Sequence, residues 1–203
     1  MRVKPTFVSV LAISAMLLST GILPSQAGYE SSVQANAVEQ RYMALVESVR
    51  KVDFGNLYYY IGKGTTGDIV QLRNGKSEIS FRFGLDSFSL DRVYYFRPTR
   101  SAHEVAVVEI RHFYEGRSSS QDGVLLVFQI DDESLVITQQ LVYDQQLKGT
   151  GTEFDPGTRT LIIHASARCC PKSIDEVTFE WNGKAFEEKS HRISVGRNRN
   201  KKM

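Results

Sequence analysis

Val177, Phe179 and Trp181 alternate with Thr178 and Glu180, and Asn182-Gly183 follows at once. A period of two marks a strand with one buried face. Asn-Gly is the pair that most readily adopts the positive φ values of a two-residue type I′ turn. This stretch is therefore committed to an antiparallel hairpin, in which Trp181 is expected to face Lys184 and Phe179 to face Phe186. Aromatic cross-strand pairs of this kind contribute about 0.2–1 kcal/mol. Upstream lies the strand Thr160 to Ser166, separated from the hairpin by the corner Cys169-Cys170-Pro171.

The same pattern fills most of the chain. Leu57 to Ile61 reads as an aromatic strand closed by the glycine-rich turn Gly62 to Gly67. Ile69 to Arg73 and Lys76 to Phe83 flank Asn74-Gly75, a second hairpin signal. Strands are expected at Ser87–Phe96, Val105–Phe113, Val124–Ile130 and Leu135–Tyr143. The third and second of these are apolar almost throughout, as strands covered on both faces are. A polar loop, Glu115 to Gly123, joins them. Gly149, Gly151 and Pro156 mark a loop before Thr160. One segment breaks the rule: from Ser32 to Lys51, Val38, Tyr42, Leu45 and Val49 recur at three- and four-residue steps, which predicts an amphipathic helix. The fold class is thus α+β, mainly antiparallel β. One N-terminal amphipathic helix is expected to pack on a meander-like sheet, a sandwich or a partly open barrel.

The chain has 203 residues and opens with MRVK, an uncharged apolar run from Phe7 to Leu23, and Pro24-Ser25-Gln26-Ala27. This is the pattern of a secretory signal peptide over residues 1–27, cut to leave a chain beginning near Gly28. The alternative is an uncleaved anchor, for which the run is slightly short. No cysteine follows the run, so a periplasmic or secreted protein without lipid is expected, with no transmembrane segment after cleavage. A single domain should occupy residues 28–191. Residues 192–203 hold Arg192, Arg197, Arg199, Lys201 and Lys202 with no acid, and are expected to form a disordered basic tail. Arg2 and Lys4 leave with the leader and account for the net charge of +2, so the remaining chain sums to zero: the tail is basic and the folded body correspondingly negative. Such a body is a poor partner for nucleic acid, which needs clustered Lys and Arg.

No Gly-x-Ser-x-Gly, His-Glu-x-x-His or phosphate-loop motif occurs. His103, His112, His164 and His191 are scattered, and neither a metal nor another cofactor is expected. Tyr58, Tyr60, Tyr94 and Trp181 are the candidate binding residues, since such side chains join apolar area to a polar tip. On one strand, however, Tyr58, Tyr59 and Tyr60 must divide between core and surface. Cys169 and Cys170 are the only cysteines. In an oxidising compartment they are read first as a structural disulfide across their own peptide bond, a ring far from ordinary disulfide geometry. Buried free thiols, pairing with another chain, and a redox or metal role are the alternatives.

Two segments, VYYFRPTRSAHEVAVVEIRHFYEG (Val93–Gly116) and RCCPKSIDEVTFEWNGKAFE (Arg168–Glu187), resemble stretches of uncharacterised exported bacterial β-rich proteins of the mycobacterial LppP/LprE lipoprotein type. The resemblance implies a small exported β domain and no particular activity. Where those proteins carry an acidic, glycine-bearing loop, this chain has Arg97-Pro98-Thr99-Arg100, which is unsuited to Ca²⁺. The expected function is a small exported, non-catalytic binding or envelope-associated module, with a protein or an envelope polymer as partner. A hydrolase whose active site is assembled from separate strands is the first alternative. A protein inhibitor projecting the loop Arg117 to Asp122 is the second.

Overall fold

The computed structural model describes residues 33–44, 46–63, 66–81, 84–100, 102–115, 120–147, 149–167 and 172–195. They form twelve strands: β1 (Val33–Ala44), β2 (Tyr58–Lys63), β3 (Thr66–Gln71), β4 (Lys76–Phe81), β5 (Gly84–Phe96), β6 (Val105–Glu115), β7 (Ser120–Asp131), β8 (Ser134–Asp144), β9 (Gly151–Asp155), β10 (Thr160–Ser166), β11 (Ser173–Trp181) and β12 (Phe186–Val195). The strands make a six-stranded sheet in the order β1-β8-β7-β6-β5-β4, a four-stranded sheet β12-β11-β10-β9 and a two-stranded sheet β2-β3. Every pairing is antiparallel. From β4 to β8 the chain is a meander, as neighbours in sequence become neighbours in the sheet. The β7–β8 turn, Asp132-Glu133, has φ of 45° and 60°, the backbone of a type I′ hairpin turn.

The apolar runs of β6 and β7 have a direct cause: the six-stranded sheet is covered on both sides. One face carries Ala106, Val108, Ile110, Leu126 and Phe128 and packs beneath Val49, Phe54, Tyr59 and Leu72. Tyr59 is fully buried there and donates its hydroxyl to the Phe54 carbonyl at 2.5 Å. The other face carries Val107, Leu125, Val127 and Leu141 and packs on Leu161, Ile163, Val177 and Phe179 of the four-stranded sheet. The molecule is a sandwich with a hairpin laid over its outer face, and the described residues close no barrel.

The expected N-terminal helix is replaced by β1, followed by two single 3₁₀ turns, Val49–Lys51 and Phe54–Asn56. β1 pairs along the whole of β8 with register shifts between Ala37 and Gln40 and between Arg41 and Met43. Each bulge adds one residue to β1 and resets its phase. Two bulges near Val38 and Tyr42 turn an alternating pattern into one that imitates helical spacing. Tertiary context then decides, because the outer edge of β8 is built of buried residues whose backbone groups need partners.

The hairpins also differ from expectation in register. Asn74-Gly75 makes the turn, with φ of 52° and 78°, flanked by the isolated bridge Arg73–Lys76, but β3 and β4 belong to different sheets. The turn is held between layers: Gly75 N–H donates to Gly55 O, and Leu90 N–H to Gly75 O, both at 2.8 Å. At Asn182-Gly183 the loop is four residues long, so Trp181 faces Phe186, and Phe179 faces Glu188. Asn182 explains this, since its Oδ1 accepts from the backbone N–H of Lys184 and of Ala185 at 2.8 and 2.9 Å, a side chain acting as a local turn closure. The expected loop around Gly151 contains β9. Residues 192–195, expected to open the tail, belong to β12, and residues 196–203 lie outside the described residues. Residues 1–32, Cys169, Cys170, Pro171 and residues 116–119 lie outside the described residues.

Candidate binding cleft

At one end of the sandwich a cleft of about 450 Å³ opens between the β5–β6 loop, the end of β7, the β9–β10 turn and the β11–β12 loop. Its apolar lining is Pro98, Val105, Ile130 and Trp181; its polar lining includes His103, Glu104, Gln129 and Arg159. The size is within the range of small-molecule sites.

Two glutamines fix its back wall. Gln129 on β7 donates through Nε2 to Thr138 Oγ1 at 2.8 Å and to the Lys184 carbonyl at 3.1 Å. Gln139 on β8, 5 % exposed, accepts from Phe186 N–H and donates to Phe186 O, both at 2.8 Å. Its amide thereby stands in for a strand neighbour at the start of β12. Phe186 in turn packs edge-on to Trp181 at a centroid distance of 5.2 Å, and Phe96 does so from β5 at 5.3 Å. The loop carrying Trp181 is therefore clamped to the central sheet by hydrogen bonds and ring packing together.

Arg159 closes the side of the cleft. Asp155 shapes its turn, accepting from Gly157 N–H and Thr158 Oγ1 at 2.8 Å. The Thr158 bond first, then the Gly157 bond, holds the Asp155 carboxyl below its ordinary range. The turn ends with Arg159 at φ 58°, a conformation that costs a non-glycine residue roughly 1–2 kcal/mol. From there Arg159 Nη1 donates to Pro98 O at 2.5 Å, joining the β9–β10 turn to the β5–β6 loop. Trp181 N–H donates to Arg159 O at 3.2 Å. The indole Nε1–H of Trp181 is buried and has no hydrogen-bond partner among the described residues.

The opposite rim is neutralised internally. Arg50 grips Glu104 with two bonds of 2.7 and 3.0 Å, Arg97 approaches the same carboxylate at 3.8 Å, and the Arg50 guanidinium lies 4.6 Å from the centre of the Tyr95 ring. The Arg50 bond holds the Glu104 carboxyl below, and Arg50 above, their ordinary ranges.

Of the four aromatic residues singled out in the sequence, only Trp181 reaches this cleft. Tyr58 is 55 % exposed on the outer hairpin, on the side of β2 opposite buried Tyr59. Tyr60 shares that outer side and pairs with Ile69, itself exposed. Tyr94 lies between the sheets against Phe154, its hydroxyl 3.2 Å from Thr152 Oγ1. The four do not form one surface.

The sequence reading missed a buried polar chain between the sheets. Glu109, 1 % exposed, accepts from Tyr143 through Oε1 at 2.5 Å and from Thr152 through Oε2 at 2.8 Å. Gln145 Nε2 donates to the Tyr143 hydroxyl at 2.7 Å. The visible signal was a lone acid in the apolar run VAVVEI. Arg159 and the two glutamines were missed as well, because their roles depend on loops distant in sequence.

Histidines stand apart from the cleft's back wall. His112 stacks on Phe88 at 4.4 Å, its Nε2 2.9 Å from Asp86 and its Nδ1 3.9 Å from Asp122. His164 lies between Glu153 and Glu176, and His191 bonds Asp175. His103 is exposed at the cleft mouth. Among the described residues no group of three or more His, Cys, Asp or Glu has the arrangement of a metal site. No helix among them is long and apolar enough to cross a membrane. The chain matches no protein-family model, no curated protein and no solved structure.

Proposed function

We propose that the protein is a small exported, non-catalytic binding module whose ligand enters the cleft beside Trp181. The observation that carries this reading is the cleft's construction. Its loops are fastened to a doubly covered sheet by Gln129, Gln139 and the Arg159–Pro98 bond, while its mouth stays open. A rigid frame around an open concave surface suits recognition, because little ordering is left to oppose binding. Export rests on the leader pattern of residues 1–27, and the Cys169–Cys170 ring belongs to the same reading.

Trp181 is the only tryptophan, so its fluorescence reports on the cleft directly. Saturable shifts with some members of a panel of small organic acids, amides and oligosaccharides are expected, together with no turnover of ester, peptide or glycoside substrates. Turnover, or a panel without any effect, contradicts the proposal. The intact mass of the protein recovered from its export route tests the rest. It should begin near Gly28, be two hydrogens short and resist alkylation; a full-length chain or two alkylated thiols contradicts that part.

A further inference from the structure

The cleft's electrostatics identify the class of ligand, on the premise that the cleft is the binding site. Among arginines whose side chains are described, Arg159 alone is partly buried; Arg50, Arg73, Arg92, Arg97, Arg100, Arg111 and Arg192 are exposed. Arg50, Arg92, Arg97 and Arg111 each have an acid within 4.0 Å. Arg159 has none among the described residues, and the one hydrogen bond of its guanidinium there is to Pro98 O. A half-buried guanidinium without an acid is costly, and its left-handed backbone adds to that cost. Trp181 lines the same cleft, and its buried indole N–H has no partner among the described residues, a second donor whose burial is not compensated.

We infer that this end of the molecule binds a small organic carboxylate, its charge on the free edge of the Arg159 guanidinium and its apolar body against Trp181, Val105 and Ile130. A carboxylate matches the planar donor fork of arginine and takes two parallel bonds. A single negative charge fits better than a phosphate dianion, because Glu104 is already matched by Arg50 and Arg97 and Arg159 is the one cation lining the cleft without an acid beside it among the described residues. The apolar lining requires a ligand with a hydrocarbon or aromatic body.

The test is calorimetric titration of the full chain with 3-phenylpropanoate, with its neutral amide, and with inorganic phosphate. The acid should bind at least tenfold tighter than the amide, and phosphate should not compete. Arg159→Asn removes the charge while suiting the positive φ, so the variant folds; it should lose the preference for the acid and keep the weak binding of the amide. Equal binding of acid and amide by the wild type overturns the carboxylate assignment and leaves the cleft as a neutral-ligand site. So does an Arg159→Asn protein that retains the preference, or competition by phosphate equal to that of the acid. Binding of neither acid nor amide overturns this inference, and with a silent wider panel it overturns the binding module too.

Discussion

The Tyr143 hydroxyl on β8 donates to Glu109 Oε1 on β6 at 2.5 Å, crossing the strand between them. The crossing is possible because β7 has Gly123 opposite Tyr143, and a Cβ there would overlap the tyrosine ring. The second Glu109 oxygen takes the Thr152 hydroxyl from β9. One buried carboxylate thus ties the two sheets together, close to the aromatic layer that ends at Trp181.

Gly123→Ala should therefore be strongly destabilising. The methyl group forces Tyr143 off its rotamer and off Glu109, so overpacking of about 1–3 kcal/mol adds to a lost buried hydrogen bond of similar size. Urea unfolding measures it. A loss under 1 kcal/mol means that the tyrosine has room to move aside.

Burial, with the Glu109 carboxylate next in weight, raises the Tyr143 hydroxyl far above the ordinary tyrosine range. Its folded pKa lies above the unfolded value of about 10, so the folded state favours the protonated hydroxyl. The resulting stability is whole below about pH 10 and falls as pH rises beyond it. Unfolding free energies between pH 8 and 11 should show this fall, and Tyr143→Phe should reduce it. Identical slopes for the two proteins contradict the assignment.

Gln139→Leu keeps the bulk of the side chain and removes both bonds to Phe186. Leaving a buried backbone N–H and C=O unpaired costs about 1–3 kcal/mol for each group. Amide exchange at Phe186 should accelerate in the variant, and Trp181 emission should shift to the red. Unchanged exchange means that the glutamine clamp is dispensable.

Arg159→Gly relieves the left-handed backbone and should raise stability by roughly 0.5–1 kcal/mol while abolishing carboxylate binding. Thermal unfolding and ligand titration on the same sample read both effects. Lowered stability means that the Pro98 bond outweighs the backbone cost.

Much of the β architecture was legible. The alternation at Val177–Trp181, the apolar runs at β6 and β7 and the turn residues placed most strands, because these signals are local. β1 was misread because its bulges shift the phase of the pattern. The Asn182 loop was misread because an Asn-Gly pair closes either a two-residue turn through its backbone or a longer one through its side chain. At the cleft, Trp181 was legible as a large aromatic beside a turn. Arg159 was not, since what distinguishes it is its φ of 58° and a bond to Pro98, 61 residues away. Glu109 was passed over although it is an acid in an apolar run, and its partner Thr152 lies in a stretch that reads as loop.

The most direct test of the cleft is the nuclear magnetic resonance signal of the single indole N–H, that of Trp181. In the free protein it should be one sharp resonance, slow to exchange with water. On addition of 3-phenylpropanoate it should move saturably, together with the backbone amides of Arg159, Val105 and Gly183. An indole resonance that stays fixed while distant amides shift contradicts the account and places binding elsewhere on the molecule.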